Sequence, residues 1–236
     1  MMNTRYCLVL GSKPGAPLPD VEPAHIFTAN AAAALISQYS QTSAPHTAVV
    51  SSLQYKNMTV FEKVVHSKPD EIVIRGHKKG KNPQPVDDIP VIYLPGKEQF
   101  RLETRYFGIS NYRAFLLRPG INKLKAAIRH IQGVDYIFGS STGLWTVLFA
   151  LDHYPDHTII VAGVGLQGGA HFYGKDEFRN EDGIKDYLIA GKLSPKARKR
   201  VRTTDENFAE RTGVSMWDGP VLNKSEHQHH KQTRGA

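Results

Sequence analysis

Two turns carry the side chains best suited to hold an anion and move a proton. Residues 140–174 read SSTGLWTVLFALDHYPDHTIIVAGVGLQGGAHFYG, a Ser-Ser-Thr-Gly turn that opens an apolar run and ends on a glycine-bearing loop delivering His171 and Tyr173. Free N–H groups at the start of a helix attract phosphate, and Ser140, Ser141, Thr142 and Gly143 stand at such a start. An imidazole titrates near neutrality, so His171 has the chemistry of a general base, with Asp176 or Asp205 available to orient it. Together these groups would stabilise a departing phosphate while a hydroxyl loses its proton. His171 reads equally as a loop histidine bonded to a backbone carbonyl. The other turn, GSKPG from Gly11 to Gly15, follows the first apolar run as a phosphate-approaching turn would, with Ser12 and Lys13 inside it. It is neither a GxGxxG nor a Walker loop, and a simple tight turn explains it as well.

No D-x-D, CxxC or HExxH pattern occurs, so no metal ligand set is read and a metal-independent site without a cofactor is expected. His227, His229 and His230 lie in a polar terminal stretch, where a ligand set lacks rigid support.

The elements needed to position these turns alternate. Strands are expected at Arg5 to Leu10, Ala24 to Thr28, His46 to Ser51, Asp70 to Arg75, Ile89 to Leu94 and Thr158 to Ala162. Helices are expected at Asn30 to Tyr39, whose four alanines allow close approach, at Thr59 to Ser67, at Ile121 to Ile131 and at Thr142 to Leu151. The helix over Ile121 to Ile131 sets Leu124, Ile128 and Ile131 on one side and Lys123, Lys125 and Arg129 toward solvent. This pattern predicts an α/β fold: a Rossmann-like parallel sheet flanked by helices, with one nucleotide-binding domain over residues 1–222. Residues 96–119, mixed aromatic and basic, form either a lid or insertion, or packing between sheet and solvent. Residues 223–236 form a polar tail, expected to be disordered.

The length of 236 residues suits one domain with a sizeable core, and 40% apolar content is ordinary. The start runs directly into a strand-like segment and no apolar run is long enough to cross a bilayer, so neither a leader nor an anchor is expected. Cys7 has no second cysteine to pair with, which fits a reducing compartment; the expected location is cytoplasmic. The formal charge of +8 favours anionic partners, with local runs at His77 to Lys81 and Lys196 to Arg202. Either run reads first as a solvated face. Aromatics are not interleaved with them, so nucleic acid is not expected as a partner, whereas peripheral contact with an anionic membrane at its inner face is.

Three pieces in order resemble the sialyltransferase family. LVLGSKPGAPLPD with HIFTANAA looks like its large nucleotide-binding motif, and GSSTGLWTVLFAL looks like its small motif. TIIVAGVGLQGGAHFYG is similar to the strand, glycine turn and His-Tyr element that follow. The resemblance covers roughly Arg5 to Ala34 and Gly139 to Gly174. It implies a glycosyltransferase that moves an acidic sugar, sialic acid or a related keto-sugar, from a CMP donor to a glycan or glycolipid acceptor, inverting and without metal. Carried over, Gly11, Ser12 and Lys13 lie near the nucleotide phosphate and Asn30 hydrogen-bonds the nucleotide. Ser140, Ser141, Thr142 and Gly143 bind the donor's phosphate or carboxylate, and His171 and Tyr173 sit by the reacting centre.

The chain departs from the family in two ways. It lacks the anchor and paired cysteines of the animal enzymes, as bacterial relatives do. It also lacks the later H-x4-E element: His66 to Glu71 has the spacing in the wrong place, and His171 with Asp176 gives H-x4-D. His171 is then the base, or the chain has lost catalysis and is a nucleotide- or glycan-binding protein of the same fold. A methyltransferase reading wants an acidic residue after the second strand, and Thr28-Ala29-Asn30 stands there.

Overall fold

A computed structural model describes residues 5–39, 41–52, 54–75, 88–108, 124, 128, 139–166 and 186–222. Continuous apolar runs form strands β1 (Tyr6–Leu10), β2 (His25–Ala29), β3 (His46–Ser51), β4 (Glu71–Arg75), β5 (Val91–Leu94) and β6 (Thr158–Ala162). Two short strands follow, β7 (Val201–Thr203) and β8 (Ser215–Met216). All pair in parallel, in the order β5-β4-β3-β2-β1-β6-β7-β8. The expected α/β architecture with a parallel sheet is therefore present.

Alternation along the central strands assigns side chains to two layers. Cys7, Val9, Phe27, Val49, Val73, Ile159 and Val161 face one core together with Leu144, Trp145 and Leu148. Leu8, Leu10, Ile26, Ile160 and Ala162 face the other side, as do Ala48, Val50, Ile72 and Ile74. Burial on both faces is why these strands are apolar throughout.

The helices among the described residues include α1 (Met58–His66), α2 (Gly96–Phe107), α3 (Thr142–His153), α4 (Pro195–Arg200) and α5 (Glu206–Thr212). Asn57 caps α1 by accepting from the Thr59 amide at 3.1 Å. Residues Asn30–Tyr39 wind as a 3-10 helix, where an ordinary helix was expected. Its fully buried Ala31, Ala32 and Ala33 do let it approach closely, since a methyl group is all that stands between its backbone and the sheet. Residues 144–151 of α3 are buried on every side, the pattern of a helix enclosed between a sheet and a second helix layer.

Helix α2 buries Gln99, Leu102, Glu103, Tyr106 and Phe107, whose spacing makes one helical face. Residues 109–119 lie outside the described residues, as does the tail 223–236. Leu124 and Ile128 are helical but 73% and 44% exposed, so the apolar side expected to be covered meets solvent at both positions. An apolar stripe determines which side chains share a face and leaves open whether that face finds a partner. No helix among the described residues is long and apolar enough to cross a membrane.

Candidate functional site

The strand order reverses at β1. The chain moves outward from β1 to β5, then returns to place β6 on β1's other side, so the loops leaving β1 and β6 part at the carboxyl edge. Such a switch point is where open parallel sheets take ligands. Gly11 and Gly163 end the two strands and touch backbone to backbone. The Gly11 amide donates to Ala162 O at 2.8 Å, and the Lys13 amide donates to Gly163 O at 2.9 Å. A Cβ on Gly11 would stand 2.2 Å from Gly163 O, and Gly163 itself has φ +72. The space that expectation gave to phosphate at Gly11 is thus occupied on its Cβ side by the β6 loop.

Helix α3 runs back toward β6, so its first turn opens at the same edge. Ser141 is the N-cap, its Oγ accepting from the Leu144 amide at 3.3 Å. The amide and hydroxyl of Ser140 both donate to Glu103 Oε1 at 2.7 Å, and the Ser141 amide donates to Asp186 Oδ1 at 2.8 Å. Glu103 and Asp186 are 0% and 1% exposed. Consecutive amides of the expected phosphate turn, at Ser140 and Ser141, therefore hold two buried carboxylates. The amides of Thr142 and Gly143 remain in the first turn, with Gly143 backed by Val164 Cγ1 at 3.2 Å from an ideal Cβ.

Lys13 crosses from the β1 loop to an ion pair with Asp205, at the end of β7. Asp205 caps α5, its Oδ1 accepting from the Phe208 amide at 3.0 Å. Both oxygens of Asp205 are engaged, one by the cap and one by Lys13; His171, which it was expected to orient, lies outside the described residues. Ser12 is half-buried on the same turn. Asn30 leaves β2 in the left-handed region, φ 51, and its Oδ1 accepts from the Ser51 amide at 3.1 Å. That bond ties the ends of β2 and β3 together. His171, Tyr173 and Asp176 lie outside the described residues.

Sequence reasoning passed over Glu103, Asp186 and Arg75. Arg75 ends the apolar strand β4 yet is only 6% exposed; its Nε donates to Gln99 Oε1 at 3.3 Å and its guanidinium lies 5.2 Å from the Trp145 ring. The available signal was polar residues, Gln99 and Glu103, on the apolar face of a helix, since buried polar groups need partners.

At the opposite, amino edge the sheet closes over buried histidines. Thr47 donates to Glu71 Oε1 at 3.0 Å, so its oxygen accepts from His25 Nε2 at 2.8 Å, and His25 Nδ1 accepts from the Tyr154 hydroxyl at 2.8 Å. His46 Nε2 bonds the Thr28 hydroxyl at 2.9 Å. Burial pushes both imidazoles down to about 4, against the pull of Asp70. These are neutral structural groups, remote from the crevice.

The basic run at Lys196 to Arg202 is partly consumed by the fold. Arg198 donates to Leu193 O at 2.8 Å and Gly191 O at 3.0 Å, while Arg200 donates to the carbonyls of Leu151 in the last turn of α3 and of Tyr154 and His157 beyond it. Among the described residues no group of three or more His, Cys, Asp or Glu side chains is arranged to hold a metal ion. No family model, curated protein or solved structure matches the chain.

Proposed function

We propose that this chain is a metal-independent, inverting glycosyltransferase of the sialyltransferase type. It would take a CMP-activated acidic sugar into the crevice between β1 and β6 and pass it to a glycan or glycolipid acceptor, at the inner membrane face. The observation that supports this reading is the convergence of the Gly11–Lys13 turn and the first turn of α3 at the edge where strand order reverses. In this reading Lys13 and the amides of Thr142 and Gly143 meet the departing phosphate, and Asn30 meets the nucleotide. Glu103 and Asp186 hold the turn that presents those amides. His171 takes the acceptor's proton, with Tyr173 beside it and Asp176 orienting it.

A non-catalytic nucleotide- or glycan-binding protein is the second reading. The two buried carboxylates on Ser140 and Ser141 favour it, because they occupy amides that a transferase would turn toward its donor. Calorimetric titration with CMP, UMP, GDP and S-adenosylmethionine, followed by incubation with CMP-sialic acid in EDTA, separates the two. Selective CMP binding with release of CMP from the donor is the expected result. Binding without turnover leaves the binding protein, and turnover that needs magnesium or manganese overturns metal independence.

A further inference from the structure

The Lys13–Asp205 pair joins two very unequal partners. The Asp205 side chain is 4% exposed and fixed: Oδ1 accepts from the Phe208 amide at 3.0 Å, and its own amide donates to Thr203 Oγ1 at 3.1 Å. The Lys13 side chain is 40% exposed on a flexible stem, while its backbone amide is pinned to Gly163 O at 2.9 Å. With the order β1-β6-β7, the ammonium reaches across the end of β6 to make this contact. Lys13 is the mobile partner, its flexible stem able to swing toward a ligand, whereas the buried carboxylate, held by the cap of α5, is not free to follow.

We propose that Asp205 is a competing acceptor that holds Lys13 until the phosphate of a ligand displaces it, so that the crevice selects phosphate-bearing ligands over their uncharged nucleosides. This rests on the reading that the crevice takes a nucleotide. An uncharged ligand gains nothing from the ammonium and leaves the pair closed. A phosphate draws the ammonium across, against the pull of the buried carboxylate, and that opposition lowers affinity below what Lys13 alone would give.

Titrating CMP, cytidine and pyrophosphate into the wild type, Lys13→Gln and Asp205→Asn tests the exchange. Asparagine caps a helix as well as aspartate, so Asp205→Asn keeps α5 and frees Lys13. It is expected to bind CMP and pyrophosphate about tenfold more tightly, the scale of one charge-assisted hydrogen bond, and Lys13→Gln to lose a comparable factor. Cytidine affinity should move in neither variant. Equal CMP and pyrophosphate affinities in all three proteins would overturn the exchange, as would failure of both CMP and pyrophosphate to bind Asp205→Asn. If pyrophosphate follows the expected pattern while CMP does not bind, the exchange stands and the nucleotide reading falls. A thermal melt of each variant confirms that the differences are read on folded protein.

Discussion

Glu103 Oε1 accepts from both the amide and the hydroxyl of Ser140, each at 2.7 Å, inside a wholly buried contact between α2 and the turn that opens α3. Removing the carboxylate strands two buried donors. Glu103→Ala should therefore lower unfolding free energy by about 1–3 kcal/mol, and Glu103→Gln by less because its amide oxygen still accepts. Urea unfolding midpoints of the two variants give the comparison; equal midpoints would mean the turn stands without Glu103.

The paired glycines predict a sharp asymmetry. Gly11→Ala puts a methyl 2.2 Å from Gly163 O, a backbone atom that cannot rotate aside, and should cost about 1–3 kcal/mol or more. Gly143→Ala meets only Val164 Cγ1 at 3.2 Å, a side chain able to shift, and should stay near wild type. Melting temperatures of both variants check this, and a stable Gly11→Ala would refute the tight crossing of the β1 and β6 loops.

Acid should weaken the fold through its amino edge. His25 and His46 titrate at 6.5 when unfolded and at about 4 when folded, with burial the larger cause. Above pH 6.5 the sites are neutral in both states and their contribution is complete. As pH falls from 6.5 toward 4 the unfolded chain binds protons that the folded one refuses. The loss reaches on the order of 3 kcal/mol per histidine at the bottom of that window. Denaturation at pH 7.5 and pH 5 measures it, and His25→Gln should flatten the difference. A wild type equally stable at both values contradicts the assignment.

The catalytic reading turns on His171. His171→Ala should keep CMP affinity and lose sugar transfer by roughly 100-fold or more, along with any dependence of rate on a group titrating at about pH 6–7. Transfer at the wild-type rate would make His171 a loop residue and send the search for the base elsewhere.

Strands β1 to β4 and β6 were readable within a residue or two because burial on both faces makes each one a largely apolar run, while the half-exposed edge strand β5 was readable from its own apolar stretch. Strand β7 was hidden. Its Val201 and Thr203 sit at the end of KARKRVRTT, where charge dominates, and the arginines proved to be carbonyl ligands of the fold. That the Ser140 turn and the glycines after β1 lie together at the carboxyl edge of the sheet was legible from the alternation of strands and helices. The carboxylates that bind the Ser140 turn were not, since they come from 37 and 45 residues away and no local pattern links them. The ten-residue 3-10 winding after Asn30 was equally opaque, because alanine suits either helix.

The reversal of strand order also dictates a timetable for synthesis. Five strands from β1 to β5, with their covering helices, leave the ribosome before β6 exists, and they already form one contiguous half-sheet. Until Thr158–Ala162 emerges, β1 carries a full row of unsatisfied amides and carbonyls along what will become the middle of the molecule. The nascent protein thus exposes an unpaired strand edge during translation and hides it only when the last third is made. A chain stalled or cleaved ahead of β6 keeps that edge open to any passing strand.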